Sequence, residues 1–278
     1  MPVVAIINRK GGSGKSTLAT HIAAHWAHAG HAVMIGDVDR QQSTRAWLKL
    51  RPPSLPSIAP WALDQGHVLR VPKGITHVVL DTPGGIHGFE LARVVMSCDA
   101  ILIPVCNSIF DRDSAAACYA ELKAMPRISS GRCKVAAIGM RVDARTQAQA
   151  TLRAWAQGIG IDFLGVLRQT QRYVRTIEAG MTLFDVPAVQ AAEDLQQLQA
   201  VVDWLPSVQS AAAMQRPSQV IATGAQPLPK NSVQPTSTRT EQASGVGLGR
   251  HTSLMPAQES LAGGARLGGA VPRHLQAA

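Results

Sequence analysis

The chain has 278 residues, and its 27 lysines and arginines outnumber 18 aspartates and glutamates, for a formal net charge of +9. That length suits one large domain or two small ones, and a hydrophobic content of 46% is enough to build a core. There is no apolar run of membrane-spanning length, no basic leader with a cleavage site and no CxxC pair, which argues against a membrane-spanning, secreted or zinc-stapled protein. The four cysteines, Cys98, Cys106, Cys118 and Cys133, read as reduced thiols of an intracellular chain.

Hydrophobic periodicity predicts strands and helices in alternation. A short apolar run over 3–8 reads as a buried strand. Leu18, Ile22 and Trp26 recur at helical spacing over 15–29. A second strand is expected over 32–37, and a helix over 43–50 stopped by Pro52 and Pro53. Then follow strand 77–81, helix 89–97, strand 100–105, helix 111–125, strand 133–140, helix 146–158 and strand 162–166. Helices over 173–179 and 189–205 complete the body, where Leu195, Leu198, Val201 and Leu205 form a stripe suited to packing on a sheet. This alternation predicts an α/β fold, a doubly wound and mostly parallel sheet with helices on both faces.

Composition changes after Pro206. Every Trp, Phe and Tyr lies before it. The remainder is rich in Gln, Ser, Pro, Gly and Ala, with six basic residues against two glutamates. Such a segment buries too little apolar surface to offset its ordering entropy. The expected organisation is therefore a folded domain over 1–206 and a disordered basic tail over 207–278.

The first strand runs into Lys10-Gly11-Gly12-Ser13-Gly14-Lys15-Ser16-Thr17, and a helix follows. Strand, glycine-rich loop and helix in that order are the setting of a phosphate loop. Glycines let backbone N–H groups turn toward phosphate oxygens, and the helix N-terminus adds its positive dipole end. Lys15 is expected to neutralise the β and γ phosphates, Ser16 to place its hydroxyl on Mg²⁺, and Thr17 to bond near the α phosphate. The pattern departs from the standard loop in having Arg9 where a glycine is usual and a second lysine, Lys10, at the loop's start.

In that departure the loop resembles the deviant KGGxGK[ST] motif of the ParA/MinD family of ATPases, most closely the small ParA (ParF-like) partition type. Two further segments carry the resemblance, over roughly residues 1–205. Asp37-Val38-Asp39-Arg40-Gln41 is similar to the family's DxDPQ segment, with Arg40 in place of proline. Val78 to Gly84 looks like a strand ending in the magnesium-ordering aspartate, Asp81. The resemblance implies the P-loop fold, ATP and Mg²⁺ as cofactors, and ATP hydrolysis that is slow without a partner. It assigns Lys10 to reach the other subunit's nucleotide in an ATP-bound homodimer, Asp39 to position the attacking water, and Asp37 to the Mg²⁺ and lysine network.

Family likeness also implies nonspecific DNA binding by the ATP dimer, and release when a small DNA-binding, ParB-like partner stimulates hydrolysis. Arg168, Arg172 and Arg175 are candidates for the DNA contact. They share one helix face if the helix starts early enough, and such a row gives salt-dependent binding with Kd of roughly 10⁻⁴–10⁻⁶ M. The expected function is segregation of plasmid or chromosomal DNA by a cytoplasmic, nucleoid-associated ATPase. One alternative is the same switch positioning a protein cargo. Another is a MinD-like membrane switch, against which stands a closing segment broken by Gly and Pro. His21, His25 and His28 recur at helical spacing and read as the exposed flank of a surface helix rather than metal ligands.

Overall fold

Strand β1 (Val3–Ile6) is four residues buried on both sides, and the chain builds outward from it. The computed structural model describes residues 1–38, 42–62, 71–143 and 145–214, all within one compact unit, Met1–Val220. In chain order the elements are β1, α1 (Lys15–His28), β2 (Val33–Asp37), α2 (Ser43–Leu50), β3 (Ile58–Ala62), β4 (His77–Asp81) and α3 (Gly88–Ser97). They continue with β5 (Ala100–Val105), α4 (Ile109–Lys123), α5 (Pro126–Ser129), β6 (Lys134–Val142), α6 (Ala148–Ile159), β7 (Asp162–Arg168), α7 (Gln171–Glu178) and α8 (Ala188–Met214). A single 3₁₀ turn, Leu183–Asp185, precedes α8.

Seven strands form one sheet in the order β3-β2-β4-β1-β5-β6-β7, and every pairing is parallel. Parallel strands need crossover helices, and these cover both faces. The alternation of side chains along β1 divides the core. Val4 and Ile6 pack with Leu18, Ile22 and Trp26 of α1 and Leu198, Val201 and Leu205 of α8. Val3 and Ala5 pack on the other face with Leu91 and Val94 of α3, Leu122 of α4 and Leu152 of α6. The α8 stripe is thus sheet packing, as its spacing predicts. Cys98, Cys118 and Cys133 are buried and Cys106 is half-buried, all as free thiols. Burial pushes Cys118 up to about 11 and Cys133 to about 12.

The four-residue α5 follows the expected helix of α4 without a signal of its own, and β3 and α8 also differ from expectation. β3 contains Pro60 and gave no strand signal. It sits at the sheet's edge and pairs with β2 alone, where a missing N–H on the outer side costs no ladder bond. α8 runs past 205, through Pro206, to Met214. The expected tail boundary therefore falls inside this helix. Residues 215–278, most of the segment read as a tail, lie outside the described residues.

His21 corrects the surface reading of the α1 histidines. It is 1% exposed, its Nδ1 lies 2.7 Å from the Thr17 carbonyl oxygen, and its Nε2 accepts the Leu183 N–H at 3.2 Å. Those two bonds require the neutral tautomer with its proton on Nδ1. His25 is half-buried and His28 exposed, and no cluster of three metal-binding side chains occurs among the described residues.

Burial lowers the His21 pKa from 6.5 to about 4. Burial, followed by the neighbouring His31, does the same to His77. A depressed folded pKa contributes stability above 6.5 that is lost as pH falls toward 4, because the unfolded chain takes the proton first. Urea unfolding should show a loss of about 3 kcal/mol from His21 alone over that window. His21→Gln should flatten the pH dependence.

Candidate nucleotide site

Asn8 anchors the loop that leaves β1. Its side-chain amide donates to the Pro104 carbonyl at 2.7 Å, and its Oδ1 accepts the Lys10 N–H at 2.9 Å. Gly12 and Gly14 then turn with φ of 72° and 95°, backbone that an L side chain adopts only under strain. At Gly14 there is no space either, since a Cβ would lie 2.7 Å from the Met140 Cε. The turn directs the chain into α1, whose first internal bond joins the Leu18 N–H to the Gly14 carbonyl at 3.0 Å. Lys15 folds back, buried, with Nζ 3.0 Å from the Lys10 carbonyl oxygen.

The segment after β4 closes the site from the other side. Thr82 Oγ1 donates to the Ile6 carbonyl at 2.7 Å, which ties this segment to β1. Gly84 approaches so closely that a Cβ there would be 3.2 Å from the Gly11 Cα and N. Between the two segments lies a cavity of about 640 Å³ lined by Gly12, Lys15, Ser16, Thr17 and Thr82 among others. Its size and its ring of backbone amides, one lysine and hydroxyls suit a polyphosphate. The loop expected to hold phosphate lines this cavity through Gly11, Gly12, Gly14, Lys15, Ser16 and Thr17.

A second cavity, about 380 Å³, adjoins the first and shares Gly14, Thr17 and Arg141 with it. Met140, Leu167, Thr170, Tyr173 and Ile177 supply a more apolar lining. The sequence reading missed these residues. Arg141 holds φ at 54°, where the β6–β7 register shifts between Gly139 and Val142. A register shift of this kind leaves no sequence signal unless a glycine marks it.

The acidic residues divide. Asp81 is buried at the end of β4, level with Ile6 of β1 and Asp37 of β2. Asp37 does not behave as a simple metal carboxylate. Its Oδ2 accepts the Thr44 N–H at 3.0 Å, the Thr44 hydroxyl at 2.8 Å and the Arg45 N–H at 3.4 Å, and so caps α2 from β2. Asp39, assigned to the attacking water, lies outside the described residues, as does Arg40.

Lys10 forms an ion pair at 2.6 Å with Asp111 in the first turn of α4. In this single chain it therefore points to its own subunit rather than across an interface. Partial burial pushes the Asp111 carboxyl up, but hydrogen bonds from Lys10 and Ser108 outweigh it and hold the group below its ordinary value.

The expected three-arginine helix face is corrected. α7 starts at Gln171, capped by Thr170, so Arg168 stands at the end of β7. Arg168 bonds Asp194 through Nε at 2.5 Å, and it pairs with Glu193. Arg172 takes the other Asp194 oxygen at 2.5 Å. Asp194 is fully buried, so two of the three candidates are tethered by one carboxylate. Arg175 is exposed, and with Arg172 it lines a shallow cavity of about 320 Å³.

Known proteins match this arrangement. Residues 4–184 fit the CobQ/CobB/MinD/ParA nucleotide binding domain. The chain belongs to that family. Two relatives share one name, Maintenance of carboxysome distribution protein A. The protein from Halothiobacillus neapolitanus is 24% identical over 203 residues, 70% of this chain and 93% of the relative. That from Gloeobacter kilaueensis is 36% identical over 107 residues, 37% of this chain, so the match spans about half (48%) of the relative. A Cyanothece McdA–ATP complex superposes with a TM-score of 0.59 at 14% identity over 79% of this chain and 99% of the other. A putative plasmid partition protein from Borrelia burgdorferi, bound to AMPPNP, gives 0.53 at 15% identity over 73% and 99%. At such identities the two structures establish the shared fold. Among the described residues, the loop from Lys10 to Thr17 follows β1, while Asp37 and Asp81 end β2 and β4.

Asp37→Ala should leave the buried Thr44 N–H and hydroxyl and the Arg45 N–H without their acceptor, at a cost of about 2–3 kcal/mol. Urea unfolding without metal or nucleotide measures it. A carboxylate serving only a metal ion would show no loss under those conditions.

Proposed function

We propose that the chain is an ATP-hydrolysing positioning switch of the ParA type, whose ATP-bound dimer holds DNA nonspecifically. The observation that carries the reading is the cradle itself: two left-handed glycines, a buried Lys15 and the Ser16 and Thr17 hydroxyls around one cavity. Gly11, Gly12, Ser13 and Gly14 offer backbone N–H groups to the phosphates. Lys15 balances their charge.

The donor set fits Mg²⁺, a hard cation that takes oxygen ligands. The Ser16 hydroxyl would hold it directly and Asp81 in part through water. The ion would supply charge neutralisation to the phosphates. Asp37, engaged on α2, would act at one remove by fixing where α2 and the segment before it begin. Asp39 is assigned to the attacking water by family likeness alone. Lys10 would leave Asp111 to reach the other subunit's nucleotide, which makes the ion pair a resting position for the signature lysine.

For DNA, Arg172 and Arg175 are the contact residues we assign on α7, with Arg168 steadying Arg172 through their shared Asp194. Phosphate contacts of this kind are blind to sequence. Segregation of plasmid or chromosomal DNA, with a ParB-like partner that stimulates hydrolysis, is the first reading of the cargo. The name carried by both relatives favours a second, in which the same switch distributes a protein assembly over the nucleoid. No helix among the described residues is long and apolar enough to cross a membrane.

Binding to random-sequence DNA should require ATP, fail with ADP and weaken steeply between 50 and 200 mM salt. Lys15→Ala should abolish nucleotide binding. Arg172→Ala with Arg175→Ala should reduce DNA affinity about tenfold or more and leave ATP turnover intact. Turnover without ATP-dependent DNA retention would overturn the DNA reading and leave a switch acting on protein cargo.

A further inference from the structure

Arg9 departs from the standard phosphate loop, and the structure shows what surrounds it. It lines the phosphate cavity alongside Gly11, Gly12 and Lys15. Its guanidinium is only partly satisfied. One terminal nitrogen pairs with Glu121 of α4, while Nε is buried with no hydrogen-bond partner. The side chain remains one-third exposed, so it has room to turn.

Glu121 is equally divided. Its second oxygen accepts the Gly88 N–H at 3.0 Å, at the start of α3. The chain reaches Gly88 directly from Gly84, the residue packed against Gly11. One carboxylate on α4 therefore holds both segments that close the phosphate cavity, the loop after β1 through Arg9 and the segment after β4 through Gly88. Burial pushes that carboxyl up, but the Arg9 hydrogen bond and the Gly88 N–H prevail and hold it below its ordinary value.

We propose that Arg9 is a terminal-phosphate ligand held in reserve by Glu121: it exchanges the carboxylate for the γ phosphate of ATP and remains on Glu121 when ADP is bound. The inference rests on the ATP reading above. A guanidinium forks onto phosphate oxygens as well as onto a carboxylate. A γ phosphate carries more negative charge than one carboxylate and supplies three oxygens, whereas ADP lacks this group. The exchange also gives Nε an acceptor. It leaves Glu121 holding Gly88 alone, so the start of α3 feels whether the third phosphate is present. Lys15 and the backbone amides also meet phosphates that ADP carries, whereas the Arg9 contact is made with the γ phosphate alone.

Calorimetric titration of the full chain in Mg²⁺ buffer, with ADP and with a non-hydrolysable ATP analogue, tests the exchange. Arg9→Gln should weaken the analogue about tenfold and change ADP affinity less than twofold. Glu121→Gln should tighten the analogue several-fold by releasing Arg9, and the double variant should lose that gain. Equal weakening of both nucleotides by Arg9→Gln, no change in either, or a Glu121→Gln gain that survives in the double variant would overturn the assignment while leaving the ATP site standing. A wild-type chain that binds neither nucleotide would overturn both.

Discussion

Strand register is the constraint on which the site depends. Ile6 of β1 lies opposite Asp81 of β4, and Asp81 opposite Asp37 of β2. Three chain segments distant in sequence thus end on one row at the same edge of the sheet. Parallel pairing makes those ends carboxyl ends, and the loops that leave them face a common space. A slip of one residue in any pair would exchange the side chains that pack toward α1 and α8 with those that pack toward α3, α4 and α6. The hydrophobic core that selects the register therefore also selects where the acidic residues and the phosphate loop meet.

Charge is handled around that row by pairing rather than by exposure. Lys10 rests on Asp111, Arg9 on Glu121, and Arg168 and Arg172 on Asp194. Each pair holds a cation beside a place where phosphate is expected, in the loop or on α7. Removing either partner of a buried pair leaves a charge without compensation, so these contacts set side-chain positions even where their net stabilisation is small. In a chain with a net charge of +9 these acids fix where the paired cations sit.

Much of this was legible in the sequence, for identifiable reasons. The strands at 77–81 and 100–105 and the helix at 43–50 have the expected bounds, because buried parallel strands read as unbroken apolar runs and α2 is ended by Pro52 and Pro53. The phosphate loop was legible because its chemistry is local, with glycine conformations, lysine and hydroxyls all within eight residues. Contacts between distant segments were not. Nothing near Arg168 says that Asp194, fully buried on α8, will hold it. β3 was hidden by Pro60, which is tolerated because this strand lies at the edge. His21 looked like a surface residue because its spacing was read without Leu183, the distant residue that covers it.

α2 shows how local and distant contacts combine. Its first turn hangs on Asp37. Just past its last residue, Arg51 makes a two-pronged pair with Asp185, with both bonds at 2.9 Å and the two side chains 5% and 0% exposed. Burial pushes Asp185 up, but Arg51, His28 and Thr182 prevail and bring its carboxyl down to about 2. Gly180 packs so tightly on the helix end that a Cβ would lie 2.3 Å from the Leu50 carbonyl carbon. This eight-residue helix is thus held by contacts at both ends. α2 thus spans from the end of β2 to Asp185, in the turn that follows α7, the helix bearing Arg172 and Arg175. The carboxyl edge of the sheet and the surface proposed for DNA are thereby joined through a short series of contacts rather than through the whole core.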